Sequence, residues 1–285
     1  MKTLILHHDD CLKHDPGPQQ PERVERVTAV LDAIEGLAGT ERLPAPRAST
    51  EQINRVHPDE YWNHLVELEP SDKSVSERVA LDWDTFLSAG TIDATLRGSG
   101  AACFALDQIN SGKAGRAFCA IRPPGHHAEA DTAMGFCLLN HVAIAARHAQ
   151  ATGAAERVAI IDFDVHHGNG TQAIFETSPD VLFVSSHQMP LYPGTGHPDE
   201  HGCGNIMNLP LAPGSGSVED RAAWSHKGLP AVERFRPDLV IVSAGFDAHA
   251  ADPLGQLELQ DEVFGWITRE ICSIAGATSD GRVLS

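Results

Sequence analysis

The sequence predicts an α/β fold with a mainly parallel central sheet and helices on both faces. Three observations carry that expectation. Short apolar runs rich in Val, Ile and Phe recur along the 285 residues, helically spaced segments lie between them, and polar residues gather just after the runs. Runs without polar alternation suit strands covered on both sides. A repeated β-α-β order supplies the covering helices.

Taken in order, Thr3–His7 reads as the first strand and Pro21–Gly36 as a helix. Pro21 suits a first turn, Val24, Val27, Leu31 and Ile34 share a face, and Gly36 suits the end. Arg42–Thr50 is rich in Pro and reads as a surface loop. Strands are expected at Arg116–Ile121, Arg157–Phe163, Asp180–Ser185 and Asp238–Ala244. Helices are expected at Leu138–Ala151, Thr171–Glu176 and Val218–Phe235, with Tyr192–Gly216 as a second surface loop. No repeat, low-complexity tract or linker interrupts the pattern, so one domain over residues 1–285 is expected.

Charge narrows the partners. With 21 basic against 39 acidic side chains the net charge is −18, which argues against direct nucleic-acid binding or an anionic membrane surface. The six cysteines are scattered with no C-x-x-C pair, as expected for reduced, mostly buried thiols of a cytoplasmic protein. The opening apolar run meets His7-His8-Asp9-Asp10 too soon for a signal-peptide core, and no run approaches a membrane span. A homo-oligomer is left open.

Chemistry concentrates where strands end, the place where open α/β sheets bind ligands. In Asp162-Phe-Asp164-Val-His166, an extended chain sends Asp162, Asp164 and His166 to one side. Two buried carboxylates beside an imidazole are costly without a cation, which points to a divalent metal. A second strand runs out through Gly245-Phe246 to Asp247, which could complete an Asp, His, Asp set with an open position, the pattern of a catalytic zinc. On spacing alone His249 is a rival ligand. The loop Arg122-Pro-Pro-Gly-His126-His127 presents two adjacent imidazoles, suited to taking and returning a proton.

These segments, together with Pro193-Gly-Thr-Gly196, Asn208-Leu-Pro-Leu211 and Asp252-Pro-Leu-Gly255, resemble the zinc-dependent histone deacetylase family, in particular its class II and bacterial amidohydrolase-like members. The likeness runs in order from Pro21-Glu22-Arg23 to the last residue. It implies an arginase/deacetylase-type fold in a single deacetylase domain. It also implies one zinc held by Asp164, His166 and Asp247, and hydrolysis of an acyl-lysine or similar acylated amine to release acetate. By the same likeness His127 is the general base and acid, His126 assists electrostatically, Asp162 orients His126 and Asn169 sits behind His127. A buried potassium is implied at the backbone of Asp162, Asp164 and His166, with the Ser185 hydroxyl and Ser186 carbonyl. Gly135, Phe136, Tyr192 and Leu254 match walls and rim of the substrate channel, Arg23 an acetate exit, and Asp84 a rim contact.

Three alternatives remain at this level. One is an acetylpolyamine amidohydrolase, against which Leu254 stands where a polyamine-selective member would carry an acid. Another is a binuclear manganese ureohydrolase, for which Asn169 and the His126-His127 pair supply too few carboxylates. The third is an acyl-binding protein with little turnover. In the family, a strand like Gly281–Ser285 leads into a Glu-Gly-Gly-Tyr segment whose tyrosine donates to the oxyanion, and no such segment follows here. Weak hydrolysis by residues 1–285 alone is therefore the expectation, since one oxyanion donor is typically worth about 10²–10³ in kcat.

Overall fold

Every residue of Val158–Asp162 is buried, and so is every residue of Val181–Gln188. Strands of that kind need cover on both faces, and the chain provides it. A computed structural model describes residues 2–71 and 77–285. The chain packs as two units, one up to Ala154 with Leu284, the other Ala155–Val283 with Ser285.

The first unit holds β1 (Thr3–His7), α1 (Val24–Ala33), β2 (Thr40–Pro44), α2 (Thr50–Ile53), α3 (Asp59–Leu68), β3 (Val79–Ala80), β4 (Phe86–Leu87), α4 (Thr91–Asn110), β5 (Arg116–Cys119) and α5 (His141–Ala151). Its main strands lie in the order β2-β1-β5, parallel to one another, while β3 and β4 form a small antiparallel pair. Ile53, Trp62, Leu65, Leu87, Leu138, Leu139 and Ile144 make a buried apolar cluster.

In the second unit are β6 (Val158–Asp162), α6 (Asn169–Phe175), β7 (Val181–Gln188), β8 (Ile206–Leu211), α7 (Ser217–Ala223), α8 (Leu229–Phe235), β9 (Leu239–Ser243), α9 (Asp261–Thr278) and Val283, the first residue of β10 (Val283–Leu284). The order is β10-β9-β6-β7-β8, with β9-β6, β6-β7 and β7-β8 all parallel. One face of these strands presents Ala159, Ile161, Leu182, Val184, Val240 and Val242, which pack against Trp224, Val232, Ile267 and Ile271 from the helices. The α/β class with parallel strands is as the sequence predicts.

Several boundaries differ for physical reasons. The first helix starts at Val24 rather than Pro21, with Arg23 in extended conformation as its cap. Both segments read as surface loops contain strands. β2 overlaps Arg42–Thr50, and its side chains are half-buried or exposed because it lies at an edge. β8 lies within Tyr192–Gly216 and pairs with β7 despite Pro210. That proline is tolerated because β8 also lies at an edge. The stretch Val218–Phe235 is helical throughout but passes through a π turn at Trp224–Gly228. The six cysteines are free, with Cys11, Cys103 and Cys137 buried and Cys203 exposed. Among the described residues no helix is long and apolar enough to cross a membrane.

A buried ion pair anchors the loop after β5. The Arg122 guanidinium donates Nε to Glu22 Oε1 at 2.6 Å and Nη2 to Oε2 at 2.7 Å. Its Nη1 donates to the Cys11 and His14 carbonyls, both at 2.9 Å. Burial alone would raise the Glu22 carboxyl, but hydrogen bonds and charge from His14 and Arg122 prevail and hold it at about 2. A carboxyl held below its ordinary 4.5 stabilises the fold fully above that value, and the contribution fades as pH falls towards 2. Glu22→Gln is therefore expected to cost about 3–5 kcal/mol near neutral pH, the usual effect of breaking a buried pair. Urea unfolding at a series of pH values checks this: the gap between wild type and variant should narrow below pH 4.5.

Candidate active site

The second unit builds a tight turn at the end of β6. Asp162 Oδ1 accepts the Asp164 N–H at 3.1 Å, and Asp164 Oδ1 accepts the His166 N–H at 2.8 Å. Each carboxylate thus binds the backbone two residues on, the local bond that Asp favours over a continued strand. Because β9 pairs with β6 and sets Ser243 opposite Asp162, the chain leaving β9 arrives beside this turn. There Asp247 Oδ1 accepts the Val165 N–H at 2.9 Å. Gly245 permits the approach, since a Cβ on it would stand 2.0 Å from Asp164 Oδ2.

The result is a convergent donor set. His166 Nδ1 lies 3.0 Å from Asp164 Oδ1 and 3.0 Å from Asp247 Oδ2. One donor atom from each of Asp164, His166 and Asp247 falls within 4.8 Å of the others. Burial by itself would lower the His166 imidazole, yet hydrogen bonds and charge from the two carboxylates raise it to about 10. Burial, followed by the charge of Asp164, pushes the Asp247 carboxyl up. Burial opposes charge at both groups, while two carboxylates crowd a single imidazole. A divalent cation answers that demand, and two oxygens with one imidazole nitrogen suit zinc with a coordination position left over. The geometry decides between the rival ligands. His249 turns away, its Nδ1 accepting the Ala251 N–H at 3.0 Å and its Nε2 lying 3.2 Å from Asp261 Oδ1.

In the first unit the anchored loop after β5 carries His126 and His127, both buried, with ring centroids 4.0 Å apart and planes tilted by 50°. Gly135, at φ +56°, passes directly over His127, and a Cβ on it would stand 2.3 Å from His127 Cδ2. Its neighbour Phe136, at φ +67°, donates its N–H to Thr85 Oγ1 at 3.0 Å. Asp84 is buried, accepts from the Thr85 hydroxyl at 2.8 Å, and has its carboxyl raised mainly by burial. Arg23 is two-thirds exposed and 4.0 Å from Glu25.

The remaining expected residues lie in the second unit. Asn169 is buried at the first position of α6. The β6–β7 register sets Ser185 opposite Asp162. Ser185 Oγ bonds His187 Nδ1 at 3.0 Å, and Ser186 Oγ accepts the Trp224 indole N–H at 3.0 Å. Tyr192 meets His166 edge-on, with centroids 6.2 Å apart. Leu254 is half-buried and donates its N–H to Asp252 Oδ1. Sequence reasoning missed a buttress beside the donor set: His167 donates Nε2–H to Gln172 Oε1 at 3.0 Å and accepts from the Thr195 hydroxyl at 2.8 Å. The doubled His166-His167 was its one visible sign.

Parallel strands thus end at a donor group able to hold a metal ion. A family model described as the histone deacetylase domain matches residues 17–285. The chain is 38% identical over 294 residues to a probable deacetylase of Archaeoglobus fulgidus, covering 100% of this chain and 80% of that protein. It is 38% identical over 309 residues to a histone deacetylase-like amidohydrolase of Pseudomonas aeruginosa, covering 99% and 80%. The crystal structure of the HDA15 HD domain matches with a TM-score of 0.90 at 32% identity, over 100% of this chain and 84% of that one. The chain belongs to the histone deacetylase family, a family of deacetylases and amidohydrolases acting on acylated substrates.

The donor set makes a direct prediction. Asp247→Ala should weaken zinc binding at least ~100-fold and Gly245→Ala, by displacing the Asp164 carboxylate, roughly 10–100-fold, whereas His249→Ala should stay within about threefold. Chelator competition on refolding-competent protein, with circular dichroism as the control for folding, measures all three.

Proposed function

We propose that the chain is a zinc-dependent amidohydrolase that removes acetyl or other acyl groups from the amine of acyl-lysine or a similar acylated amine. The observation that carries the reading is the Asp164, His166, Asp247 donor group, in which two carboxylates, Asp247 buried and Asp164 partly so, crowd one imidazole. Zinc held by these three residues would supply Lewis acidity toward the amide carbonyl and a water. In this reading His127 takes the proton of the attacking water as its oxygen bonds to the acyl carbon. His127 then returns a proton to the nitrogen as the C–N bond breaks, leaving acetate and a free amine. His126 tunes that imidazole through its neighbouring ring, with Asp162 and Asn169 as further supporting residues. The Gly135 backbone over His127 fixes where the ring can point.

Potassium is assigned to the backbone of Asp162, Asp164 and His166 with the Ser185 hydroxyl and the Ser186 carbonyl. The β6–β7 register and the local excess of carboxylate charge support it. Gly135 and Phe136 on one loop, and Tyr192 and Leu254 on others, are proposed to line the acyl-amine channel. The acetate-exit role of Arg23 rests on the family likeness alone. A single domain over residues 1–285 and a cytoplasmic setting complete the reading.

Zinc-loaded protein should be assayed side by side on an acetyl-lysine peptide and an acetylpolyamine. The peptide is expected to win in kcat/KM by about tenfold or more, because the apolar, half-buried Leu254 offers no carboxylate to a distal ammonium. Leu254→Glu should move the ratio toward the polyamine. His127→Ala should lower kcat roughly 10²–10⁴-fold while the zinc content is kept. A wild-type preference for the polyamine would replace the substrate assignment with that of an acetylpolyamine amidohydrolase.

A further inference from the structure

The motif Pro193-Gly194-Thr195-Gly196 directly follows Tyr192, a proposed wall of the channel, and a closed ring of hydrogen bonds within the second unit holds it. The Thr195 hydroxyl bonds His167 Nδ1 at 2.8 Å, and His167 Nε2 bonds Gln172 Oε1 at 3.0 Å. Gln172, on α6, gives its Nε2 to Glu200 Oε2 at 2.5 Å. The same oxygen accepts the Gly196 N–H at 3.2 Å, one residue from where the ring began. Glu200 Oε1 takes the His197 N–H at 3.0 Å. Gly196 packs so closely that a Cβ on it would stand 2.6 Å from His167 Cγ.

Three side chains of this ring are ambivalent. A hydroxyl donates or accepts, an amide offers oxygen on one side and NH2 on the other, and a neutral imidazole carries its proton on either nitrogen. Glu200 is not. Burial would raise its carboxyl, but hydrogen bonds from Gln172, His197 and Gly196 hold it below the ordinary 4.5. Near neutral pH it is therefore a carboxylate, which only accepts. Gln172 must then turn its NH2 to Glu200 and its oxygen to His167. His167 must carry its proton on Nε2, so that the bare Nδ1 accepts from the Thr195 hydroxyl. Asn208 works in the same sense, its Nδ2 donating to Gln172 Oε1 at 2.9 Å and to the His197 carbonyl at 3.3 Å. His167 is 1% exposed, so bulk water cannot replace a partner that faces it in the wrong sense.

We propose that Glu200 is a positioning residue: through Gln172 it sets the His167 tautomer, and so fixes the segment that begins at Tyr192 beside the Asp164, His166, Asp247 group. Tyr192 meets the His166 ring edge-on at one end of that segment, and His167 follows His166 directly in the chain. One carboxylate thus gives direction to every bond of the ring. Its effect on substrate binding rests on the acyl-amine hydrolase reading, whereas its control of the tautomer does not.

The test uses the zinc-loaded full chain carrying isotope-labelled histidine at mildly alkaline pH. Long-range proton–nitrogen correlation NMR separates the two tautomers of each neutral ring, and the signals lost in His167→Asn identify that residue. Wild type should show His167 protonated on Nε2; protonation on Nδ1 overturns the proposal with no variant needed. Glu200→Gln, which can present oxygen or NH2, should bring up a measurable Nδ1–H population. Gln172→Met cuts the link and should do the same, and adding Glu200→Gln to it should change the tautomer no further. A merely structural role would lower the melting temperature and leave the tautomer fixed, which also overturns the proposal. On an acetyl-lysine peptide, Glu200→Gln should raise KM about three- to tenfold while kcat and zinc content stay within about twofold. A shifted tautomer with unchanged KM breaks the tie to Tyr192 and overturns the positioning role. If wild type hydrolyses the peptide but the tautomer ignores Glu200, the proposal falls and the hydrolase reading stands. If the tautomer follows Glu200 but wild type hydrolyses nothing, the hydrolase reading falls and the control of His167 by Glu200 stands.

Discussion

Two carboxylates confined around one imidazole are the constraint on which the rest of the second unit depends. Asp164 and Asp247 both approach His166 Nδ1 to 3.0 Å, in a place where burial already disfavours charge. The fold holds them there with backbone donors: Val165 N–H on Asp247 and His166 N–H on Asp164. Those bonds require β6 to end at Asp162 and β9 to lie beside it, so the strand register is tied to the donor set. They also require glycine at position 245, where any side chain would enter the Asp164 carboxylate. Charge frustration of this kind is tolerated because a cation relieves it, and the local geometry then becomes an asset in place of a liability.

The first unit solves a different problem, that of holding an irregular loop still. Arg122 and Glu22 form a bidentate pair 100 residues apart in sequence, and Arg122 also takes two backbone carbonyls of the segment after β1. With all its strong hydrogen bonds inside the fold, the guanidinium acts as a fixed post. Gly135 then closes over His127 from the other side, pinned through Phe136 and Asp84 to the β3–β4 connection.

What could be read from the sequence followed from how each element is buried. The buried strands β6, β7 and β9 were legible because cover on both faces forces continuous Val, Ile and Phe. The edge strands β2 and β8 were not, since an edge tolerates Pro and polar residues and so looks like a loop. The 20-residue α4 escaped because it is buried on most sides. Its Gly98-Ser-Gly-Ala-Ala102 centre lacks both helix propensity and an apolar stripe. At the site, the strand-end run Asp162 to His166 pointed to Asp164 and His166, and the Gly245–Asp247 exit to Asp247; Asp162 stands outside that group, because the chain turns there and Asp162 Oδ1 accepts the Asp164 N–H. The choice between Asp247 and His249 needed either the family likeness or the geometry, because spacing leaves both within reach. The Glu22–Arg122 pair and the two glycine approaches left no local signature, being contacts between distant segments.

The histidines make the same point about chemistry. Sixteen of them look like an enriched catalytic or metal-binding composition, yet several serve as neutral structural bridges. His57 donates Nδ1–H to the Ala130 carbonyl and accepts the Asn140 N–H on Nε2. His141 donates to the Pro123 carbonyl and accepts from the Ser99 hydroxyl. His187 donates to the Gly196 carbonyl and accepts from Ser185. Burial drives all three down to about 4, only partly countered by the carbonyls they face, so they stay uncharged at neutral pH. A neutral imidazole is the one side chain that can donate in one direction and accept in another from a rigid ring, which suits it to joining backbone segments of irregular loops. His166 differs in its surroundings, not its type: two carboxylates in place of one carbonyl turn the same ring from a strut into a member of a donor set able to hold a cation. The chemistry of this protein is therefore written in what faces each histidine, and the strands that end at Asp162 and Ser243 decide what that is.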